Sequence, residues 1–272
     1  MRLHHTSDPY APDQREIAEN FIEWWRNRSN GDSGGRPGNP GMSPDEFFDD
    51  PTLIERIFVD KDGMISTAHK IYLSDDSCKR LPFKFRKVGA FKIEMPNLQT
   101  LDGCPLETGQ FGVETFRNNG NLNNFINSLI GCPKICRHMT FELERPLENL
   151  QTSCTSPIDT AWIRTPEIKS FAGLNVLVGE LSLTLPNQKS ITGIHKHLRN
   201  VEDLFIVLPQ NFEGGLLGLA MIPGIKAVGS GGANSDAMNA ILKMSPMIRA
   251  KKNVHEIQEM LIESGYAKFA RL

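Results

Sequence analysis

A six-residue phrase that keeps returning restricts this chain more than anything else in it. Val88-Gly89-Ala90-Phe91-Lys92-Ile93 and Thr108-Gly109-Gln110-Phe111-Gly112-Val113 share a Gly-x-Phe-x-aliphatic core, twenty residues apart. Val178-Gly179-Glu180-Leu181-Ser182-Leu183 repeats it, and Val201-Glu202-Asp203-Leu204-Phe205-Ile206 does so without the glycine. His138-Met139-Thr140-Phe141-Glu142-Leu143 reads as a further copy. Each is a short strand with alternate residues turned inward. A unit of about twenty residues cannot bury its apolar side alone, whereas stacked copies build one continuous core.

A second phrase alternates with the first. Leu98-x-x-Leu101-Asp102-Gly103-Cys104-Pro105 matches Phe125-x-x-x-Leu129-Ile130-Gly131-Cys132-Pro133, twenty-eight residues on. Ile168-x-x-Phe171-Ala172-Gly173 and Ile191-Thr192-Gly193-Ile194 are worn versions of it. Glycine suits the corner of a coil, and proline after Gly-Cys stops further strand pairing. A β-sandwich also shows short strands punctuated by turns, but it gives no reason for Gly-Cys-Pro to return in equivalent phase. The chain therefore reads as mainly β: an irregular, leucine-rich-repeat-like solenoid over residues 59–228, with helical N- and C-terminal segments. Its least regular stretch is 152–166, where Trp162 stands at a position expected to be polar.

Outside the repeats the apolar period becomes helical. After Pro12, the residues Ile17, Phe21, Trp24 and Trp25 form one stripe, so residues 1–28 read as an amphipathic helix. Residues 29–43 hold five glycines and two prolines and read as a flexible linker. Ser43, Pro44 and Glu46 have the spacing of a capping box, and Asp50 can cap a second helix carrying Leu53, Ile54 and Ile57. Asp60-Lys61-Asp62-Gly63 has the chemistry of a tight hairpin turn. This helical cap and the repeats make one unit, 44–228, which is expected to keep nearly its full melting temperature without the segment before it. In 229–272, Ser235 or Asp236 can cap a helix bearing Met238, Ile241 and Leu242. Asn253 with Glu256 can cap another, carrying Ile257, Met260 and Leu261 and stopped by Gly265. These two helices read as the C-terminal cap that an open solenoid end needs.

Composition narrows the partners. A formal charge of −2 offers no basic stripe for nucleic acid. No stretch approaches the roughly 18 to 20 apolar residues of a membrane span, and the N-terminal segment has no apolar signal region. The five cysteines (Cys78, Cys104, Cys132, Cys136 and Cys154) are an odd set lying within the repeats, which reads as a reducing, cytoplasmic setting rather than a disulfide framework.

The run Leu81-Pro82-Phe83-Lys84-Phe85-Arg86-Lys87-Val88-Gly89, followed by Leu98-x-x-Leu101-x-Gly103-Cys104-Pro105, resembles the leucine-rich-repeat-like proteins of large tailed bacteriophages. The stretch Gly215-Leu216-Leu217-Gly218-Leu219 to Gly224-Ile225, and the close from Leu261 to Leu272, are similar to that group's usual ending. The resemblance spans about residues 44–272. It implies a repeat scaffold acting in the infected cell, or alternatively a virion component, and it brings no catalytic residues with it.

Several clusters invite a chemical reading. Cys132-x-x-x-Cys136-x-His138 is the nearest approach to a zinc site, but Cys132 belongs to a repeated turn whose other copy has Thr108 at the Cys136 position. Buried cysteines packing as small hydrophobes are the simpler reading, with no metal expected. His195-x-His197 lacks a carboxylate at ligand spacing and reads as a solvent-facing pair. Asp60-x-Asp62-Gly63 echoes half a calcium loop without its glutamate, and Gly229-Ser230-Gly231-Gly232 lacks the lysine of a phosphate loop and reads as a flexible joint. No catalytic residue and no cofactor site emerges, and an enzyme with a site assembled across repeats is the least favoured reading. Phe21, Trp24 and Trp25 carry the most functional interest: on a tethered helix they are either an anchor for a partner protein or, the favoured alternative, a face that docks back on the chain's own solenoid. The expectation is a non-enzymatic protein–protein interaction scaffold with no nucleic-acid or membrane partner; the sequence sets no oligomeric state.

Overall fold

The computed structural model describes residues 12–29, 44–115, 126–232 and 235–272. Residues 30–43 of the expected linker, its Ser43 cap and the Phe125 of the second phrase lie outside the described residues. The chain is mainly β, and the described residues form nine strands in one sheet arranged in strict sequence order. Strand β1 (Phe58–Val59) pairs antiparallel with β2 (Ile65–Ser74) across the expected turn, where Gly63 has φ 72°. From there β3 (Phe85–Glu94), β4 (Glu107–Glu114), β5 (Ile135–Glu142), β6 (Ile158–Arg164), β7 (Val178–Thr184), β8 (Val201–Val207) and β9 (Ala227–Gly229) each pair parallel with the strand before. Parallel neighbours that are also sequence neighbours mean the chain winds: this is a β-solenoid.

The register shows why these residues coil. Ile71, Phe91, Phe111, Met139, Ala161, Leu181, Leu204 and Val228 stand opposite one another down successive strands, all buried. Two residues further on, Leu73, Ile93, Val113, Phe141, Ile163, Leu183 and Ile206 form a second buried column. The rings of Phe91 and Phe111 stack with centroids 6.3 Å apart. The expected copy at His138 lies in the sheet but two residues out of phase, because Met139 rather than Phe141 stands opposite Phe111.

The corners carry the glycines. Gly103, Gly131, Gly173 and Gly193 all have positive φ, between 74° and 97°. At Gly131 the coil beneath also comes close: a Cβ there would lie 2.9 Å from that of Leu101. Proline then punctuates the other side of the coil, a signal the two phrases do not include. Pro96, Pro166, Pro186 and Pro209 each follow a buried residue just past a strand (Met95, Thr165, Leu185, Leu208), where a missing N–H ends the ladder. Two buried polar residues of the returns, Thr165 and Gln188, are satisfied by neighbouring backbone. The Thr165 hydroxyl donates to the Arg145 carbonyl at 2.7 Å, and Gln188 accepts from the Ile168 N–H at 2.8 Å while donating to the Ser190 carbonyl at 2.6 Å.

Both ends are covered. Helix α1 (Pro12–Arg26) is not held apart on a tether: Phe21 and Trp25 are fully buried and stack at 5.5 Å. Phe21 meets Phe83 and Phe85 edge-on, and Trp25 meets Phe47 and Phe48 of α2 (Pro44–Phe48) in the same way. The Ser74 N–H donates to the Arg28 carbonyl at 3.1 Å, and Arg28 reaches Asp75 at 2.6 Å. After Asp50 there is only a 3-10 turn, Ile54–Arg56, in place of the second helix expected there. Late returns contain two short helices, α3 (Ile194–His197) and α4 (Leu217–Ala220). The C-terminal pair is α5 (Asp236–Arg249), capped by Ser235, and α6 (Val254–Glu263), which has the full Asn253–Glu256 capping box. In α5 the buried stripe is Ala237, Ala240, Ile241, Met244 and Ile248, whereas Leu242 faces solvent. No helix among the described residues is long and apolar enough to cross a membrane.

Candidate functional site

With the ends covered by helices, the surface left for recognition is lateral: the outward face of the parallel sheet. Its side chains are also stacked in columns. In one of these, Tyr72, Lys92, Gly112, Thr140, Trp162, Ser182, Phe205 and Gly229 succeed one another from β2 to β9. Beside it run Lys70, Ala90, Gln110, His138, Thr160, Glu180, Asp203 and Ala227.

The N-terminal half of this face is satisfied from within. Lys92 lies 5.2 Å over the Tyr72 ring and pairs with Glu114 at 2.7 Å. Glu94 and Glu114 are opposite each other and Glu142 follows, with Arg164 closing the row at 3.9 Å from Glu142. Burial raises the Glu94 carboxyl above its usual 4.5; Glu114 adds to this, while Tyr72 and Lys92 oppose it.

Over β6 to β8 the face changes character. Trp162 is 46% exposed and Phe205 36%, and only the small Ser182 stands between them. Phe205 leans away from Ser182: a Cβ on Gly229 would be 3.1 Å from its ring, and one on Gly231 2.8 Å. The surface above Ser182 is thus left open, a trough between exposed Trp162 and the leaning Phe205. Near one end of the trough, Glu180 and Asp203 are directly opposite each other on β7 and β8. Like charges placed so destabilise a sheet, and neither carboxylate has an ion-pair partner among the described residues. The neighbouring Glu202 is paired, with Lys226 at 2.9 Å. Exposed Ile135 and Leu177, at equivalent positions just before two inward residues, add apolar surface on the same side of the coils.

The residues singled out from sequence fall elsewhere. Phe21 and Trp25 belong to the chain's own core, and Trp24 is half-buried against Phe83 with Arg28 over its ring. Cys136 points inward and is buried, while His138 points outward and shares a 2.8 Å hydrogen bond with Thr160, so the two cannot hold one ion. No group of three or more His, Cys, Asp or Glu converges as a metal site among the described residues. Burial pushes the Cys104 thiol well up and the Cys136 thiol up to about 12, as expected for packing residues. Cys132 is drawn down, first by its hydrogen bond with Cys154 and then by the Ser153 N–H. His195 is half-buried and His197 exposed on α3. The Asp60 carboxylate accepts the Asp62 and Met64 N–H groups and binds Arg86, so it serves the hairpin. Gly229 ends β9, Ser230 donates to the Ile206 carbonyl at 2.6 Å, and Gly231 lies under Phe205.

Trp162 and Phe205 are readable as a surface in principle, since both occupy outward positions in a strand of period two. In the sequence Trp162 stands out only as an irregularity, and Phe205 is hidden between buried Leu204 and Ile206. Fold and face together define the class: a parallel β-solenoid closed at both ends, with a lateral surface of exposed aromatics and unpaired carboxylates. No protein-family model, curated protein or solved structure matches the chain.

Proposed function

We propose that this protein is a non-enzymatic scaffold that binds another protein through the outer face of β6 to β8. The observation that carries the reading is the exposure of Trp162 and Phe205 in register on a rigid sheet, beside two carboxylates left without partners. Exposed Trp side chains on a preorganised surface are the usual anchors of protein interfaces, because they bury much area at little entropic cost. The reading assigns no catalytic residue and no cofactor. One strand per coil with an irregular return supports the leucine-rich-repeat likeness. The likeness to repeat proteins of tailed phages supports a role in the cytoplasm of an infected host cell.

Affinity purification from infected cells tests this, with the parent and a Trp162→Ala/Phe205→Ala variant compared side by side. The expected result is a stoichiometric protein retained by the parent and lost by the variant, whose circular dichroism melt stays close to the parent's. If the variant retains the same partner, this face is not the interface. Finding the protein at constant copy number in purified particles would move it to the virion.

A further inference from the structure

We infer that the trough over Ser182 receives a lysine or arginine side chain from a basic segment of the partner, an inference that rests on the scaffold reading of this face. The trough has the two properties such a side chain needs. Beside it stands Trp162, 46% exposed, and a cation over an aromatic face is attracted by the ring quadrupole, most strongly over Trp. Near one end stand Glu180 and Asp203, opposite each other on adjacent strands and unpaired. A cation there relieves their mutual repulsion and gains two ion pairs, whereas an acidic or purely apolar group leaves the repulsion in place. The other like-charged pair on this face, Glu94 and Glu114, makes the contrast: the chain's own Lys92 lies 3.8 Å from one and 2.7 Å from the other, whereas Glu180 and Asp203 have no such cation among the described residues. Of the nearby cations, Arg164 stands two residues past Trp162, toward the end away from Glu180 and Asp203 and 3.9 Å from Glu142, and Lys226 is paired with Glu202.

Fluorescein-labelled octaarginine, with octaglutamine and octaglutamate as controls, can be titrated against the intact protein at physiological salt and followed by anisotropy. Octaarginine is expected to bind and the two controls are not. Trp162→Ala, and separately Glu180→Gln with Asp203→Asn, should each weaken binding about tenfold or more. Ser182→Leu should do the same by filling the trough without altering charge. Glu107→Gln, which removes one carboxylate from an exposed pair on β4, should change it less than about twofold. Equal losses in all variants would mean general electrostatic attraction and overturn the proposal. Binding of maltohexaose by the parent, lost in Trp162→Ala, would replace the cation with a sugar and overturn it too. If octaarginine does not bind, yet Trp162→Ala still loses the cellular partner, the cation reading fails and the scaffold reading stands.

Discussion

Phe91 and Phe111 stand second and third in the column of eight, each boxed by a coil on either side, and both are essentially without solvent exposure. Truncating either leaves a cavity that the neighbouring strands, held by ladders on both edges, cannot collapse to fill. Phe91→Ala and Phe111→Ala should each destabilise the protein by about 3–5 kcal/mol, read from chemical denaturation. A variant that unfolds at the parent's denaturant midpoint would place its residue outside the core. The same column explains what was legible and what was not. Where it holds Phe or Leu the repeat announces itself. At β6 it holds Ala161, beside a small apolar void lined by Met139, Phe141 and Leu181, and the phrase vanishes from view. At β5 the Phe of Phe141 draws the eye two residues too far. The twenty-eight-residue step from Gly103 to Gly131 leads from Phe111 to Met139 and gives the true phase.

Among the elements, α1 is the one whose role its own pattern leaves open: a helical stripe shows that a face must be buried, and not against what. Its aromatic residues turn out to complete a cluster with Phe83, Phe85, Phe47 and Phe48. Deleting residues 1–42 should therefore uncover those rings and yield a chain that aggregates or melts far below the parent, as seen by size-exclusion chromatography and thermal denaturation. A soluble fragment with the parent's melting temperature would show that α1 merely rests on the solenoid. His69 lies in the same cluster, 5.2 Å from Phe47 and 6.5 Å from Trp25. Burial first, and Arg56 second, hold its pKa below the ordinary 6.5, with Asp50 opposing. The unfolded chain thus takes up the proton more readily than the folded one. The stability linked to His69 is complete above 6.5 and is lost as pH falls below it toward the lowered folded value. The melting temperature should drop across that window and drop less in His69→Gln; an equal drop in both would assign the pH dependence to other groups.

At the scale of the whole molecule, each coil touches only its neighbours, so the ends decide whether the stack remains a single, separate particle. The N-terminal end is finished by an antiparallel turn and the aromatic cluster. The C-terminal end depends on α5, α6 and the tail. Strand β9 is only three residues long, and beyond it the next layer is helical. The tail ties this layer down: the Leu216 N–H donates to the Phe269 carbonyl at 3.0 Å, and the rings of Phe212 and Phe269 stack at 6.5 Å. Removing residues 235–272 should bare Val228 and the unpaired edge of β9, the arrangement that invites strand addition by another copy. The expected outcome is association that grows with protein concentration, measured by light scattering behind a sizing column. Amide exchange should also lose protection in β8 first and progressively less toward β5, because the loss of one coil's neighbour is felt mainly by the next. A truncated chain that stays monomeric with the parent's exchange pattern would show that the last coil is stable by itself. The helices would then be dispensable to the stack, and the end of the solenoid would rival its lateral face as a surface for partners.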